Sequence, residues 1–141
     1  MTNKYYTAYN AVFTAVKTML GTVSSIKTVV LGEQFRVTSL PIVIINPMQT
    51  DINQGAFGTL LQSKINFTVI VLIRETEPAN WFADILAPMG DVVDAVLADR
   101  TLAGSVKDVI PTLVSPGEIK TEGKIYFGGV VKFQALLHFT P

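Results

Sequence analysis

The chain has 141 residues, the length of one ordinary domain, and a single domain spanning residues 1–141 is expected. Eleven basic and eleven acidic side chains cancel, so the composition provides no positive field for a nucleic-acid backbone, and no direct nucleic-acid partner is expected. The absence of cysteine excludes disulfide bonds, thiolate metal sites and cysteine nucleophiles.

The chain is apolar for a lone monomer. Hydrophobic residues make up 49 % of it and charged residues only 16 %, whereas charged residues are about a quarter of a typical soluble domain. Polar residues such as Asn66, Arg74 and Lys132 interrupt the apolar runs, which stay well below the roughly 20 residues of a membrane helix. Residues 1–9 lack the pattern of a secretory signal and are typical of a cytosolic start. We therefore expect no membrane partner and interpret the apolar surplus as an interface between subunits.

The first third of the chain predicts one helix and two strands. Apolar residues recur at helical spacing over residues 4–20, and Gly21 follows at the expected end of the helix. Two runs rich in β-branched residues, 26–31 and 40–45, predict strands. Pro41 has no backbone N–H, which places it at the start of a strand or on a sheet edge.

Residues 46–59 contain two glycines, a proline and several amides, without a sustained apolar period. This pattern predicts a long loop, and loops of such length inside a compact domain are often functional. Met48, Ile52 and Phe57 then have no helix or strand to bury them, so we predict that they contact a partner. The alternative is a hairpin tip without function.

The middle of the chain predicts a central strand and a second helix. Residues 60–74 alternate at first and become apolar on both sides, as in the middle of a sheet. Thr76, Glu77 and Pro78 suit the first turn of a helix over residues 78–99, which has a wide apolar face. Pro88 removes an internal hydrogen bond and predicts a kink or break near residues 85–88.

The last third predicts a hairpin. Gly104 ends the helical pattern, and residues 106–119 form a strand that Pro111 and Pro116 either place at an edge or bend. Residues 121–124 give a turn signal, and a last strand covers residues 125–140. Gly128-Gly129 inside it suggests a bulge or a close backbone approach. The order αβββαββ predicts an α+β fold, a mainly antiparallel sheet of about five strands with two principal helices packed on it.

No residue pattern predicts catalysis, a cofactor or a metal. His138 is the only histidine, and its place near the end of a strand favours a structural or surface role. The acidic residues of the second helix lack the spacing of a calcium loop and favour a solvated helix face. Residues 55–58 lack the lysine of a phosphate-binding loop. Lys120, Lys124 and Lys132 are interpreted as a solubilising strand edge.

Two segments carry a family resemblance. The first is Asp91-Val-Val-Asp-Ala-Val-Leu-Ala-Asp-Arg-Thr-Leu-Ala-Gly-Ser-Val-Lys-Asp-Val109, and the second is Lys124-Ile-Tyr-Phe-Gly-Gly-Val-Val-Lys-Phe133. With the run Pro41-Ile-Val-Ile-Ile45 and the turn Leu102-Ala-Gly-Ser-Val106, they resemble the tail terminator, or tail completion, proteins of long-tailed bacteriophages. The resemblance covers most of the chain.

The resemblance implies a structural virion protein and no enzyme. Members of that family form rings, typically homohexamers, which cap the tail tube, stop its polymerisation and offer a surface for the head connector. The implied partners are other copies of the chain, the tail tube protein and the head–tail connector protein, and the implied location is the head-proximal end of the tail, after assembly in the host cytoplasm. We assign Met48, Ile52 and Phe57, and Glu122 and Lys124 of the hairpin, as candidate contacts.

Two other functions remain open from the residues. A neck or head-completion adaptor would form a similar ring and differ mainly in what it contacts. A small ligand-binding or enzymatic α+β domain would need a pocket with converging polar groups, for which the sequence offers few candidates.

Overall fold

The computed structural model describes residues 4–32, 40–54, 61–73, 80–121 and 124–139. The chain forms α1 (Lys4–Gly21), β1 (Thr28–Leu31), β2 (Ile42–Gln54), β3 (Leu61–Ile73), α2 (Trp81–Ala98), β4 (Asp108–Thr121) and β5 (Lys124–Phe139). This is the predicted α+β element order. Among these residues, neither helix combines the length and apolar character that a membrane span requires.

The five strands form one mixed sheet in the order β1-β2-β3-β5-β4. β3 is the middle strand, as predicted, and pairs antiparallel with β2 and β5. β4 pairs antiparallel with β5 as an edge strand. β1 pairs parallel with β2, so the sheet is not antiparallel throughout. The pairing direction of β1 depends on the path between residues 31 and 42, which local patterning does not specify.

Both helices pack on the same face of the sheet, which we call the helix face. Alternate residues of β3 point into this layer and are buried, with Phe67 at the centre. The ring of Phe67 lies 5.7 Å from that of Phe13 on α1 and 5.3 Å from that of Phe133 on β5. At the start of α1, the hydroxyls of Tyr5 and Ser63 are 2.9 Å apart, which ties the first turn of the helix to the buried end of β3.

The second helix differs from its prediction at two points. It begins at Trp81, after the N-cap Asn80, whereas the predicted start was at about residue 78, which lies with the rest of residues 74–79 outside the described part of the chain. The helix also continues through Pro88, so of the kink or break predicted near residues 85–88 the break is absent. An internal proline costs about 3 kcal/mol in a helix, and burial of Pro88 and its neighbours Ile85 and Met89 against the sheet compensates for this cost.

The predicted loop at residues 46–59 is largely strand. Residues 46–54 belong to β2 and pair with β3, while residues 55–60, including Phe57, lie outside the described residues. The register shifts by one residue between Pro47 and Thr50, which is a β-bulge. A bulge interrupts the two-residue alternation, so the sequence shows no continuous β period there.

A second bulge lies in β4, between Pro111 and Leu113. The two bulges flank the same rung of the sheet, because Pro47 pairs with Phe67 and Pro111 pairs with Phe133. Gly128-Gly129 is not a bulge, since pairing with both neighbouring strands is continuous there. The alternative prediction of a close approach is confirmed: a Cβ would meet the Val71 carbonyl at Gly128 and the Met89 thioether at Gly129.

The connection from α2 to β4 is a turn of left-handed residues. Leu102, Ala103 and Gly104 have φ of 48°, 59° and 83°. The carboxylate of Asp99, the C-cap residue, accepts hydrogen bonds from the Thr101 hydroxyl at 2.8 Å and the Ala103 N–H at 2.9 Å. The helix therefore ends at Ala98, before Gly104, and the buried Leu102 side chain anchors the turn to the core.

Candidate functional site

The sheet face opposite the helices, which we call the outer face, is apolar at one end and polar at the other. Its apolar end buries a small cluster of Ile42, Ile44 and Leu72. Its polar end carries Asn66, Lys132 and Gln134 on the neighbouring strands β3 and β5. Along β3 and β5 these residues alternate with residues that are buried on the helix face, so their side chains point to the outer face.

A shallow depression of about 190 Å³ lies at the polar end, beside the two bulges. Its polar groups are connected: the Asn66 amide donates to the Gln49 carbonyl at 3.0 Å, and the Gln134 amide donates to Asn66 Oδ1 at 3.3 Å. On the other side, the Thr112 hydroxyl donates to the Lys132 carbonyl at 3.4 Å. The bulged residues thus line a surface of amides, one lysine and one methionine. We call it the outer depression, lined by Met48, Gln49, Asn66, Phe67, Thr112, Lys132 and Phe133.

The structure separates the contact residues predicted from the sequence. Met48 is 43 % exposed and lines the outer depression together with Lys132. Ile52 is also exposed, but it pairs with Ser63, whose hydroxyl contacts α1, so Ile52 lies on the helix face. Glu122 lies outside the described residues, and of Lys124 only the backbone, at the start of β5, is described. Thr121 pairs with Lys124, as the predicted two-residue turn requires.

The titratable residues considered from the sequence have local structural contacts. His138 Nε2 lies 3.5 Å from the side-chain amide of Gln62 on the neighbouring strand. On α2, the carboxylate of Asp91 accepts a 2.7 Å hydrogen bond from Ser25, in the segment between α1 and β1. Within the described ranges, no three His, Cys, Asp or Glu side chains are grouped as metal ligands would be.

Two carboxylates at the turn after α2 have lowered pKa values. The hydrogen bond from the Thr101 hydroxyl, followed by that from the Ala103 N–H, lowers the pKa of Asp99. The hydrogen bond from the Arg100 guanidinium lowers the pKa of Asp108, with which Arg100 forms a two-point ion pair at 2.6 and 2.8 Å. Both carboxylates lie at the surface, and the hydrogen bonds that they accept stabilise their charged form. They hold the turn and do not form part of a cleft.

A second surface, which sequence reasoning missed, lies where α2 meets the edge strand β4. Phe82, Leu86 and Leu97 share one stripe of α2, and Val114 of β4 lies on the helix face because it pairs with the buried Val131. These four side chains are between 42 % and 53 % exposed. We call them the α2–β4 flank. The sequence predicted that one wide apolar face of α2 covers the sheet. Of the described side chains on that face, the buried ones are Ile85, Met89, Val92 and Val96. The side chain of Trp81 lies outside the described part of the chain.

Comparison with known proteins adds no relative. No protein-family model matches the chain, and no curated protein matches it. The features of the chain that bear on function are the outer depression, the α2–β4 flank and the segments 91–109 and 124–133.

Proposed function

We propose that this chain is a structural virion protein, a ring-forming tail terminator that caps the tail tube of a long-tailed bacteriophage. In this role it ends polymerisation of the tube and provides the surface to which the head connector attaches. Its partners are other copies of itself, in a homohexameric ring, together with the tube protein and the connector protein. The ring is assembled in the host cytoplasm and lies at the head-proximal end of the tail.

The observation that carries the proposal is the exposed apolar surface on one side of the domain. Large apolar side chains are exposed on α2 and on both faces of β4, where Ile110 and Leu113 add to the α2–β4 flank. A soluble monomer rarely exposes contiguous apolar patches beyond a few hundred Å² unless they bind something. Such a surface suits a subunit that works by burying area against other subunits.

The mechanism follows from a ring with two different faces. One face matches the last ring of the tail tube, and the other does not repeat the tube's surface. Further tube subunits then find no template, and growth stops. The outer depression, with its amides, Lys132 and the exposed Met48, is a surface on which polar and apolar contacts to the tube or connector meet.

Electron microscopy of particles made without this chain tests the function. Overlong tails without heads are expected for a terminator, and supplying the wild-type chain in trans should restore tail length. Tails of normal length that fail to join heads would replace the proposal with the neck adaptor. Normal virions would overturn both.

A further inference from the structure

We propose that the α2–β4 flank binds a second copy of this chain, head to tail, at the opposite sheet edge where Leu31 of β1 is exposed. The proposal rests on the proposed function, since it specifies how the ring closes. It assigns two different surfaces of each subunit to one interface.

The flank points away from the centre of the sheet. Asp91 lies across α2 from Phe82, two and a half turns along the helix, and its carboxylate binds Ser25 beside β1. The stripe of Phe82, Leu86 and Leu97 therefore faces the other way, toward β4, which is the outermost strand on that side. Val114 of β4 continues the stripe onto the edge of the sheet.

The exposed area matches that of the largest apolar patch on a typical monomer, which is often functional, and is too small to be a complete interface. At the fractional exposures given above, the four side chains leave on the order of 350 Å² of accessible apolar area, against about 800 Å² per partner in a standard interface. Ile110 and Leu113, on the other face of the same edge strand, extend it. An apolar patch with a polar rim is the composition of interfaces between copies of one chain, whereas non-permanent interfaces are no more apolar than ordinary surface.

Some of the charges at the two edges are complementary. Exposed Asp94 and Glu118 lie on α2 and β4 beside the flank, and exposed Lys27 directly precedes β1 at the opposite edge; exposed Lys107, directly before β4, is the positive charge on the flank's own side. Leu31 pairs with Ile45, a core residue, and so lies on the helix face, as the flank does. When a second copy docks head to tail, Asp94 and Glu118 of one subunit face Lys27 of the next, and the helix layers of both subunits lie on the same side. Two copies meeting flank to flank would place like charges together.

β4 is unsuited to direct strand pairing with a neighbour. Pro111 and Pro116 lack N–H donors, and the bulge at Thr112 distorts the edge, both of which oppose strand addition. Contact through side chains of the flank remains the favourable mode. The interface is accordingly expected to be sensitive to single side-chain changes on α2.

Two variants of the full-length chain, each with one of the two surfaces disabled, test the head-to-tail arrangement. Leu86→Glu disables the flank and Leu31→Lys disables the β1 edge, and each alone should weaken self-association at least about a hundredfold by sedimentation velocity. A head-to-tail interface makes a specific prediction for the mixture: each variant keeps the surface that the other lacks, so equimolar mixing should give a two-subunit complex and no ring. Lys64→Gln, a charge change at an exposed position of the middle strand β3, is the control and should assemble like wild type.

Each other outcome overturns the proposal. A Leu31→Lys variant that assembles normally would show that the flank does not use the β1 edge. A Leu86→Glu variant that keeps its circular dichroism spectrum and melting temperature and still forms rings would exclude the flank, while leaving a ring-forming terminator possible. A wild-type chain that stays monomeric at millimolar concentration would also overturn it. Conversely, the chain could form rings that depend on the flank while tails made without the chain keep their normal length. That result would contradict the proposed function and leave the proposed interface intact.

Discussion

The thioether of Met89 on α2 occupies the space that a side chain at Gly129 of β5 would need. This contact brings the helix close to the sheet and fixes which stripe of α2 is buried. On the neighbouring residue, Gly128, a Cβ would collide with the carbonyl oxygen of Val71 on β3. The glycine pair thus lets both a helix and a strand approach one strand closely.

Gly128→Ala should destabilise the fold more than Gly129→Ala. The Met89 side chain is flexible and can move, so we expect Gly129→Ala to cost about 1–3 kcal/mol, whereas the Val71 backbone must shift to admit a methyl group at Gly128. Urea unfolding monitored by circular dichroism measures the difference. Gly117→Ala, in open space on β4, is the control and should change stability little. Equal stability of the Gly128 and Gly117 variants would refute the close approach.

Ala103→Gly should stabilise the turn after α2. Ala103 has φ of 59°, a conformation that costs a residue with a Cβ about 1–2 kcal/mol relative to glycine. Part of the gain from glycine is lost because glycine also makes the unfolded chain more flexible. We expect a net gain of up to about 1 kcal/mol in the free energy of unfolding. Ala87→Gly, in the exposed interior of α2, should instead lose about 1 kcal/mol. Losses in both variants would contradict the assigned backbone conformation.

The turn should lose stability at acid pH. Because the pKa values of Asp99 and Asp108 are lowered in the folded chain, their contribution is complete above the ordinary carboxyl range, near pH 4, and is lost as pH falls through the lowered values. The melting temperature of Asp99→Asn/Asp108→Asn should therefore lie below that of wild type at pH 7, with the gap closing toward pH 2. A gap that stays constant with pH would rule out this linkage.

Changes in the outer depression should impair attachment without impairing the ring. Met48→Glu places a charge where an exposed apolar side chain lines the depression, and Lys132→Glu reverses the only charge among its lining residues. If this surface contacts the tube or connector, both variants should keep the wild-type oligomeric mass while producing overlong or unjoined tails in micrographs. Ile52→Glu places a charge on the helix face instead, and comparing it with the two outer-face variants shows which face of the sheet the tube or connector contacts. Virions of normal length and infectivity from both variants would exclude the outer depression as a contact surface.

The long strands and helices were predictable where one period runs without interruption. β3 and β5 are long enough for two-residue alternation to show, and Pro111 and Pro116 predicted that β4 lies at an edge or bends. The second half of β2 was missed because the bulge at residues 48–49 shifts the alternation by one residue. The parallel pairing of β1 was missed because it depends on a non-local path.

The candidate surfaces were only partly predictable. Met48 was selected for lacking a burying element, and its exposure is confirmed although it lies in a strand. Ile52 was grouped with Met48 by sequence proximity, but the bulge after Pro47 shifts the alternation by one residue and places the two on opposite faces. On α2, a helical wheel cannot divide a wide apolar face into buried and exposed halves. That division depends on where the sheet ends, at β4.

The paired bulges also constrain how this chain can change in length. Each edge-side strand carries one residue more than its partner at the Phe67–Phe133 rung, so removing Thr112, or either Met48 or Gln49, would restore a regular ladder. Thr50 would still pair with Ile65, and Leu113 with Lys132, so every later side chain of the strand would keep its face. A deletion at a regular position of either strand would instead exchange inside for outside along the rest of that strand. Length variation among descendants of this sequence is therefore expected at the two bulges and at the ends of the strands, and a single-codon deletion at a bulge should be tolerated better than one elsewhere in the same strand.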